Sequence, residues 1–483
     1  MKTSFPKSKI SVLLLESVHP AGVAALEAEG FQVQALPGAP DEAKLCRLVE
    51  NVHLLGLRSK TEVTPRVLDA APKLLAVGCF CIGTNQVALR DACRRGVPVF
   101  NSPFSNTRSV AELTIAEIIA LYRRLTEKSD LMHRGVWDKS AAGAHEVRGR
   151  TLGIVGYGHI GSQVSVLAEA LGMRVLYHDI IAKMPLGNAR QVKSLADLLK
   201  ESDVVTLHVP ATRQTEGLIA APQLKRMKPG AYLINNARGG VVDITALAAA
   251  LTSGHLAGAA LDVFPVEPSA KGESFESPLR GLANVILTPH VGGSTEEAQA
   301  SIAEDVASKF IKFINVGTTT GAVNVPEVEL PEQTSASTGF PASGTSALRA
   351  GSGSGPDASA LRAGSGSGPD ISARRAGSGS GPDASALRAG SGSGPATHAR
   401  RAGSESPAFT RPHRILHFHR NVPGVLSKMH AMIADLGANI SAEYLRTTDD
   451  IGYVVLDVDP TDGKQVLARL RDIPETIRVR MLW

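Results

Sequence analysis

A glycine-rich segment in the middle of the chain, from Gly156 to Gly161, reads GYGHIG and has the spacing that binds a dinucleotide. The apolar run before it predicts a buried parallel strand, and the run after it predicts a helix. A second predicted strand then ends at Asp179. Gly158 lets backbone N–H groups approach a pyrophosphate at the helix N-terminus. Because the carboxylate of Asp179 can accept from a ribose 2′-hydroxyl and would repel a 2′-phosphate, the segment predicts NAD rather than NADP.

Three polar residues further along suit the oxidation of a 2-hydroxy acid. His290 can take the hydroxyl proton, since the ordinary pKa of an imidazole lies near operating pH. Glu267 can hold the histidine tautomer, and Arg238 offers a bidentate fork to a carboxylate. Taken alone, two of them have a structural interpretation: the histidine as a cap or core residue, and the arginine as part of a turn.

Their positions relative to the predicted strands favour the functional interpretation. In doubly wound sheets, ligands bind at the carboxyl ends of the strands. Six predicted strands are each followed by glycine or polar residues: Gly156, Asp179, His208, Asn236 with Arg238, Asp262 and His290. This shared placement is hard to explain by folding alone.

The order of predicted elements gives the domains. The first hundred residues alternate strand and helix, which predicts a parallel sheet. A long helix over 107–125 crosses into the second domain, whose strands begin near Thr151. Ser294 and Glu297 form a predicted capping box that opens a helix to about residue 314. That helix returns to the first domain, and a short segment over 322–325 closes there.

The remaining chain predicts a linker and a third domain. Residues 327–411 contain a 13-residue repeat with the sequence GSGSGP and too few apolar residues to offset chain entropy, which predicts a flexible linker. RNA binding by its arginine and glycine content is disfavoured, because no aromatic residues are interleaved. Residues 412–483 predict the order β-α-β-β-α-β, which is ferredoxin-like.

Composition excludes several classes of protein. The net charge of +5 does not indicate a nucleic-acid partner, because residues 341–410 alone hold seven arginines against four acidic residues. The four cysteines lack the spacing of a zinc site, so we expect reduced, packed thiols in a cytoplasmic protein. We expect no metal site, signal peptide or membrane span.

Longer motifs carry a resemblance to a known family. Gly156 to Gly161, Asn236 to Gly239, residues 262–265 and residues 289–293 resemble the D-2-hydroxyacid dehydrogenase family. Four further motifs, at residues 56–59, 78–85, 101–112 and 133–137, closely resemble the bacterial branch of that family that has a C-terminal ACT domain. The resemblance covers nearly all of residues 8–330 and 411–483.

The resemblance implies an α/β fold with two doubly wound parallel-sheet domains and a ferredoxin-like βαββαβ ACT domain. The expected domains are a discontinuous substrate-binding domain at 1–106 and 295–326, a Rossmann-like NAD-binding domain at 107–294, a linker at 327–411 and an ACT domain at 412–483. It implies NAD-dependent oxidation of 3-phospho-D-glycerate to 3-phosphohydroxypyruvate, the first step of L-serine biosynthesis, with feedback inhibition by L-serine and a homotetramer.

The resemblance also assigns residues. The catalytic residues are Arg238, Glu267 and His290. The NAD contacts are Gly156, Gly158, His159, Ile160, Gly161, Asp179, Asn236, Ala237, Arg238, Asp262, His290, Val291, Gly292 and Gly293. The substrate contacts are Arg58, Ser59, Lys60 and Asn106, and the L-serine contacts are His419, Asn421 and Asn439. Trp137 and Lys139 reach a neighbouring subunit's cleft or form a plain dimer contact.

Two other functions remain open at this point. The first is a related dehydrogenase activity, such as reduction of 2-oxoglutarate. The second is a non-enzymatic NAD-sensing interaction protein, against which the ACT domain and the substrate residues argue.

The linker raises a separate question. About 80 flexible residues should weaken mechanical coupling between serine binding and the catalytic cleft. This predicts weaker serine inhibition than in a chain without the repeats. The alternative is that paired ACT domains stay docked and the linker loops out.

Overall fold

The structure, a computed structural model, describes residues 6–268, 272–331, 412–459 and 462–482. These residues form two parallel sheets, each covered by helices, and one antiparallel sheet. The predicted fold class is confirmed.

The first sheet has five parallel strands in the order β2-β1-β3-β4-β5. Its elements are β1 Ser11–Leu14, α1 Pro20–Ala28, β2 Gln32–Ala35, α2 Glu42–Val49, β3 Leu54–Leu57, α3 Pro65–Asp69, β4 Ala76–Cys79, α4 Leu89–Arg94 and β5 Val99–Asn101. Every residue of β3, β4 and β5 is buried, as expected for apolar strands covered on both faces.

Two helices lead to the second sheet. α5 spans Thr107–Arg123 and α6 spans Leu125–His133, where the sequence predicted one helix over 107–125. Arg124 separates them because its φ of 52° is left-handed and cannot continue a right-handed helix.

The second sheet has seven parallel strands in the order β12-β11-β10-β9-β6-β7-β8, which is a Rossmann-like order with one added strand. Its elements are β6 Thr151–Val155, α7 His159–Ala170, β7 Arg174–His178, β8 Arg190–Gln191, α8 Leu195–Glu201, β9 Val204–Leu207, α9 Ala221–Arg226, β10 Ala231–Asn235, α10 Ile244–Thr252, β11 Leu256–Leu261 and β12 Val285–Leu287. The two-residue strand β8 was not predicted.

A long helix, α11 Glu296–Asn315, returns the chain to the first domain. The predicted capping box was wrong: the N-cap is Thr295, whose hydroxyl accepts from Ala298 N at 3.2 Å. α11 packs on α1, and an isolated antiparallel bridge joins Phe100 to Ala322. The first domain is therefore built from two separate stretches of the chain.

Residues 327–331, at the start of the predicted linker, belong to the packed domain. Val328 and Leu330 are buried in the core that contains Phe310, and Val328 O accepts from Thr319 N at 2.9 Å. The rest of the predicted linker, from residue 332, lies outside the described residues.

The C-terminal sheet is antiparallel, with strand order β14-β15-β13-β16. Its elements are β13 His413–Arg420, α12 Val425–Asp435, β14 Ile440–Thr447, β15 Ile451–Val458, α13 Gly463–Arg471 and β16 Thr476–Leu482. One face of the sheet packs on α12 and α13.

The other face of this sheet packs directly on the first domain. Leu416, Phe418 and Tyr453 are buried in the same cluster as Phe310 and Phe313 of α11. The Tyr453 hydroxyl donates to Gly317 O at 2.5 Å. The C-terminal domain and the first domain therefore share one hydrophobic core.

Candidate active site

The glycine loop joins β6 to the N-terminus of α7. Gly156 has a φ of 92°, and a Cβ at Gly161 would lie 2.2 Å from Gly156 O, so both positions require glycine. A Cβ at Gly158 would meet no atom of the described residues within 4 Å. That open space lies beside the first N–H groups of α7, where a pyrophosphate fits.

Asp179, directly after β7, connects the loop that follows β7 to the glycine loop that follows β6. Its Oδ2 accepts from Tyr157 N at 2.8 Å, and its Oδ1 accepts from Ile181 N at 2.9 Å. The carboxylate is partly exposed beside the glycine loop, in a position that suits a ribose diol. Together the two loops fit the NAD that the sequence predicted.

His290 and Glu267 form a hydrogen-bonded pair. His290 Nδ1 lies 2.8 Å from Glu267 Oε2, and the other carboxylate oxygen accepts from Phe264 N at 3.0 Å. His290 has a left-handed φ of 56°, a strained conformation for a side chain of this size. The carboxylate fixes the tautomer that leaves Nε2 free for substrate.

Asp262, a predicted NAD contact, holds the loop that contains His290. It is only 2% exposed, and it accepts from Val291 N at 2.8 Å and from Gly292 N at 2.7 Å. The Thr288 hydroxyl also donates to it at 2.5 Å. A buried carboxylate with three donors defines the backbone on both sides of His290.

Arg238 lies on the loop after β10. Its Nη1 donates to Ala237 O at 2.7 Å, while Asn235 accepts from Ala237 N at 3.2 Å and donates to Arg238 O at 3.1 Å. A Cβ at Gly239 would lie 2.0 Å from the backbone of Phe264. The Arg238 loop therefore packs directly against the loop that holds Glu267.

Asn236, on the same loop, is anchored by α5. Its Nδ2 donates to Thr114 Oγ1 at 3.0 Å and to Glu117 Oε2 at 2.7 Å. Glu117 is only 3% exposed. Burial and, to a lesser extent, the charge of Asp262 raise the pKa of Glu117 to about 7, although the Asn236 hydrogen bond opposes the shift.

The predicted substrate loop of the first domain is organised by Glu16. This buried carboxylate accepts from the backbone N–H groups of Arg58 at 3.2 Å, Lys60 at 3.0 Å and Thr61 at 2.8 Å. Ser59 and Lys60 are exposed. Three bonds from one carboxylate fix the backbone from which these side chains project.

Asn106 and Phe104 connect the two domains. Asn106 is buried against Gly293, where an added Cβ would lie 2.4 Å from the asparagine Nδ2. The ring of Phe104 lies over the ring of His159 at the start of α7. The first-domain loop at 101–106 thus contacts both ends of the predicted NAD site.

Sequence reasoning missed Glu16, Phe104 and Glu117. Glu16 follows β1 closely, and the rule of polar residues after strands, applied to the first domain, would have found it. Glu117 interrupts the apolar side of α5, which is a detectable signal. Phe104 had no signal, because its partner lies in another domain.

The residues predicted to bind L-serine do not lie together within one chain. His419, 3% exposed, pairs with Gly452 near the start of β15, and Asn421 Nδ2 donates to Thr448 O at 2.8 Å nearby. Asn439 O instead accepts from Asp459 N, just beyond the other end of β15. Six residues of strand separate the two places by about 20 Å.

Trp137 is 74% exposed and Lys139 is also exposed, so both are accessible to a second chain. The four cysteines are free thiols, and burial raises the pKa of Cys79, Cys81 and Cys93. Within the described ranges, no helix is long and apolar enough to cross a membrane.

The fold and this geometry define an NAD-dependent dehydrogenase, and the comparisons with known proteins are specific. Residues 115–292 match the family of the D-isomer specific 2-hydroxyacid dehydrogenase NAD-binding domain, and residues 415–478 match the AHAS small subunit-like ACT domain family. D-3-phosphoglycerate dehydrogenase of Haemophilus influenzae is 45% identical over 483 residues, covering 100% of this chain and 99% of that protein. The Escherichia coli K12 enzyme of the same name is 44% identical, covering 100% of both chains.

Solved structures show the same similarity at the level of the fold. A D-lactate dehydrogenase from Aquifex aeolicus, complexed with NAD and lactic acid, is 29% identical with a TM-score of 0.55, covering 63% of this chain and 95% of that one. A Thermus thermophilus protein is 35% identical with a TM-score of 0.58, covering 63% and 97%. The chain belongs to the D-3-phosphoglycerate dehydrogenase branch of the D-isomer specific 2-hydroxyacid dehydrogenases, and the predicted resemblance and NAD cofactor are confirmed.

Proposed function

We propose that this chain oxidises 3-phospho-D-glycerate to 3-phosphohydroxypyruvate with NAD, the first step of L-serine biosynthesis. The observation that carries the proposal is the 2.8 Å hydrogen bond between His290 and Glu267, beside an NAD-binding fold. Full-length similarity to enzymes named D-3-phosphoglycerate dehydrogenase selects this substrate over other 2-hydroxy acids.

His290 acts as the general base. Nε2, the nitrogen that does not face Glu267, takes the proton of the C2 hydroxyl, and Glu267 stabilises the imidazolium that forms. NAD, when bound, supplies the acceptor for the C2 hydride. In the reverse direction, the protonated His290 returns the proton to the carbonyl oxygen.

Substrate orientation comes from both domains. Arg238 holds the C1 carboxylate with its guanidinium fork, next to the loop that contains Glu267. Arg58, Ser59 and Lys60 bind the phosphate and neighbouring oxygens from the loop that Glu16 organises. Asn106 sits at the junction of the domains, against Gly293.

A direct assay tests this function. Purified protein should oxidise NADH in the presence of 3-phosphohydroxypyruvate, and parallel reactions should contain pyruvate or 2-oxoglutarate instead. Faster turnover of 2-oxoglutarate at equal concentration would replace the proposed substrate, and no turnover of any of them would reject the enzyme assignment.

Serine regulation requires a second copy of the chain. His419 and Asn421 lie at one end of the ACT sheet and Asn439 at the other. We therefore infer that L-serine binds between paired ACT domains, with Asn439 contributed by the neighbouring copy, in a homotetramer. Light scattering of the purified protein tests the assembly, and serine titration of Asn439→Ala tests the site.

A further inference from the structure

Glu117 is a buried carboxylate that the reaction outlined above does not use. It lies on α5, a helix that begins beside Asn106 at the domain junction and packs against β10 and β11. Ionisable side chains are almost never fully buried without a partner or a function. The energetic cost of placing a carboxylate here calls for an explanation.

Its contacts point at the loop after β10. Glu117 Oε2 accepts from Asn236 Nδ2 at 2.7 Å, and Thr114, one turn earlier on α5, accepts from the same nitrogen at 3.0 Å. The amide of Asn236 therefore has both hydrogens bound to one helix. Ala237 and Arg238 follow directly, so the anchor lies two residues from the predicted carboxylate-binding arginine.

Two neighbouring acceptors stay unused. Glu117 Oε1 and Asn236 Oδ1 are both buried, and neither has a hydrogen-bond partner among the described residues. A polar cluster that served packing alone would leave fewer unpaired acceptors, since each costs free energy. Burial also raises the pKa of Glu117 to about 7, and shifts of this kind concentrate at functional sites.

We propose that Glu117 is a positioning residue for the cofactor site: by accepting the hydrogen bond of Asn236, it fixes the 236–238 loop in the orientation that binds NAD and presents Arg238. Glu117 itself touches neither cofactor nor substrate. The inference rests on NAD binding at this loop and not on the identity of the substrate. A cofactor-binding measurement without substrate therefore tests the role of Glu117 separately from the proposed reaction.

The experiment compares NADH affinity across variants by fluorescence titration of the full-length protein. Glu117→Leu removes the acceptor, and Glu117→Asp keeps the carboxyl group but withdraws it from Asn236. Loss of this hydrogen bond predicts about a tenfold rise in Kd for both. Glu117→Gln keeps an acceptor oxygen in place, and its Kd should stay within about threefold of wild type. Glu112→Gln, on the same helix with a 59% exposed side chain, is the matched control.

A double-mutant cycle measures the coupling between Glu117 and Asn236 in NADH affinity. A general structural role of Glu117 would not produce such a coupling. Asn236→Ala should weaken NADH binding, and Glu117→Leu should weaken it no further in that background, because the two residues act through one bond. The cycle of Glu112→Gln with Asn236→Ala should be additive. Additive effects of Glu117 and Asn236, or unchanged affinity in Glu117→Asp, would overturn the proposal. If Glu117→Leu does not fold, the Asp and Gln variants still decide it.

Discussion

The ring of Phe104 lies over the ring of His159, with centroids 3.8 Å apart and an interplanar angle of 35°. Phe104 belongs to the loop between β5 and α5, and His159 is the first residue of α7. A first-domain side chain thus covers the helix N-terminus at which the pyrophosphate of NAD fits.

Replacing Phe104 should affect cofactor binding more than chemistry. Aromatic pairs contribute about 0.5–1.5 kcal/mol beyond area burial, which predicts a rise of about two- to thirteenfold in KM for NADH in Phe104→Ala. Phe104→Tyr keeps the ring and serves as the control. Steady-state kinetics with varied NADH measures both, and an unchanged KM in the alanine variant would show that the stack has no role in binding.

The proposed role of the His290–Glu267 pair predicts that its replacement lowers the rate without unfolding the protein. His290→Ala should lower kcat by about 10²–10⁴-fold, the usual contribution of a general base, and Glu267→Gln should lower it by a smaller factor. Both side chains are largely outside the core, so the melting temperature should change little. Glu276→Gln, an exposed carboxylate paired with Arg280, is a suitable control. Near-normal kcat in His290→Ala would require another base.

We expect replacement of Glu16 to raise KM for the substrate while kcat stays nearly constant. Its three backbone hydrogen bonds orient the 58–61 loop and do not reach the reacting atoms. Glu16→Gln replaces one acceptor oxygen by a donor facing N–H groups, which should raise KM for 3-phosphohydroxypyruvate by about tenfold. The value of kcat should stay within about twofold, and KM for NADH, measured in the same series, should not change. A fall in kcat at constant KM would contradict this role.

Glu117 also predicts a pH dependence of stability. Its pKa is raised from 4.5 to about 7 in the folded protein, so the folded state keeps this proton to higher pH than the unfolded state does. The stabilising contribution is complete below pH 4.5 and disappears as pH rises through 7. Between pH 5.5 and 8 the loss amounts to about 2 kcal/mol.

Urea unfolding at both pH values tests the sign. Glu117→Gln carries no titrating proton, so its free energy of unfolding relative to wild type should increase by about 2 kcal/mol from pH 5.5 to pH 8. Glu112→Gln should show no such trend. A constant difference between Glu117→Gln and wild type would mean that the carboxyl titrates normally.

Much of this site could be predicted because doubly wound sheets place ligands at one edge. Residues directly after strands, such as Asp179, Asp262 and His290, could be read from the order of apolar runs. Contacts between residues on different secondary-structure elements could not be predicted from the sequence. The contact of Glu117 with Asn236 joins positions 119 residues apart, and Phe104 meets His159 only because two domains pack together. Local patterns also misplaced the start of α11, since serine is the better N-cap by residue type, yet Thr295 and not Ser294 takes that position.

The packing of the ACT domain bears on the long repeat segment. Leu416, Phe418 and Tyr453 are buried in the core of the first domain, and Arg480 donates to Phe313 O and Ile314 O at the end of α11, both at 3.0 Å. These contacts need no residue of the repeats. They favour the docked arrangement over control through a flexible tether.

Deleting residues 351–402, four complete repeats, should therefore leave the proposed inhibition by L-serine unchanged. The serine concentration for half-inhibition and the Hill coefficient should match wild type, because the proposed route of the signal is the shared core. Tyr453→Phe removes the 2.5 Å bond to Gly317 and should weaken inhibition in both the full-length and shortened chains. Serine titrations of the NADH-dependent rate measure all four proteins. Stronger inhibition after the deletion would show instead that the repeats loosen the coupling.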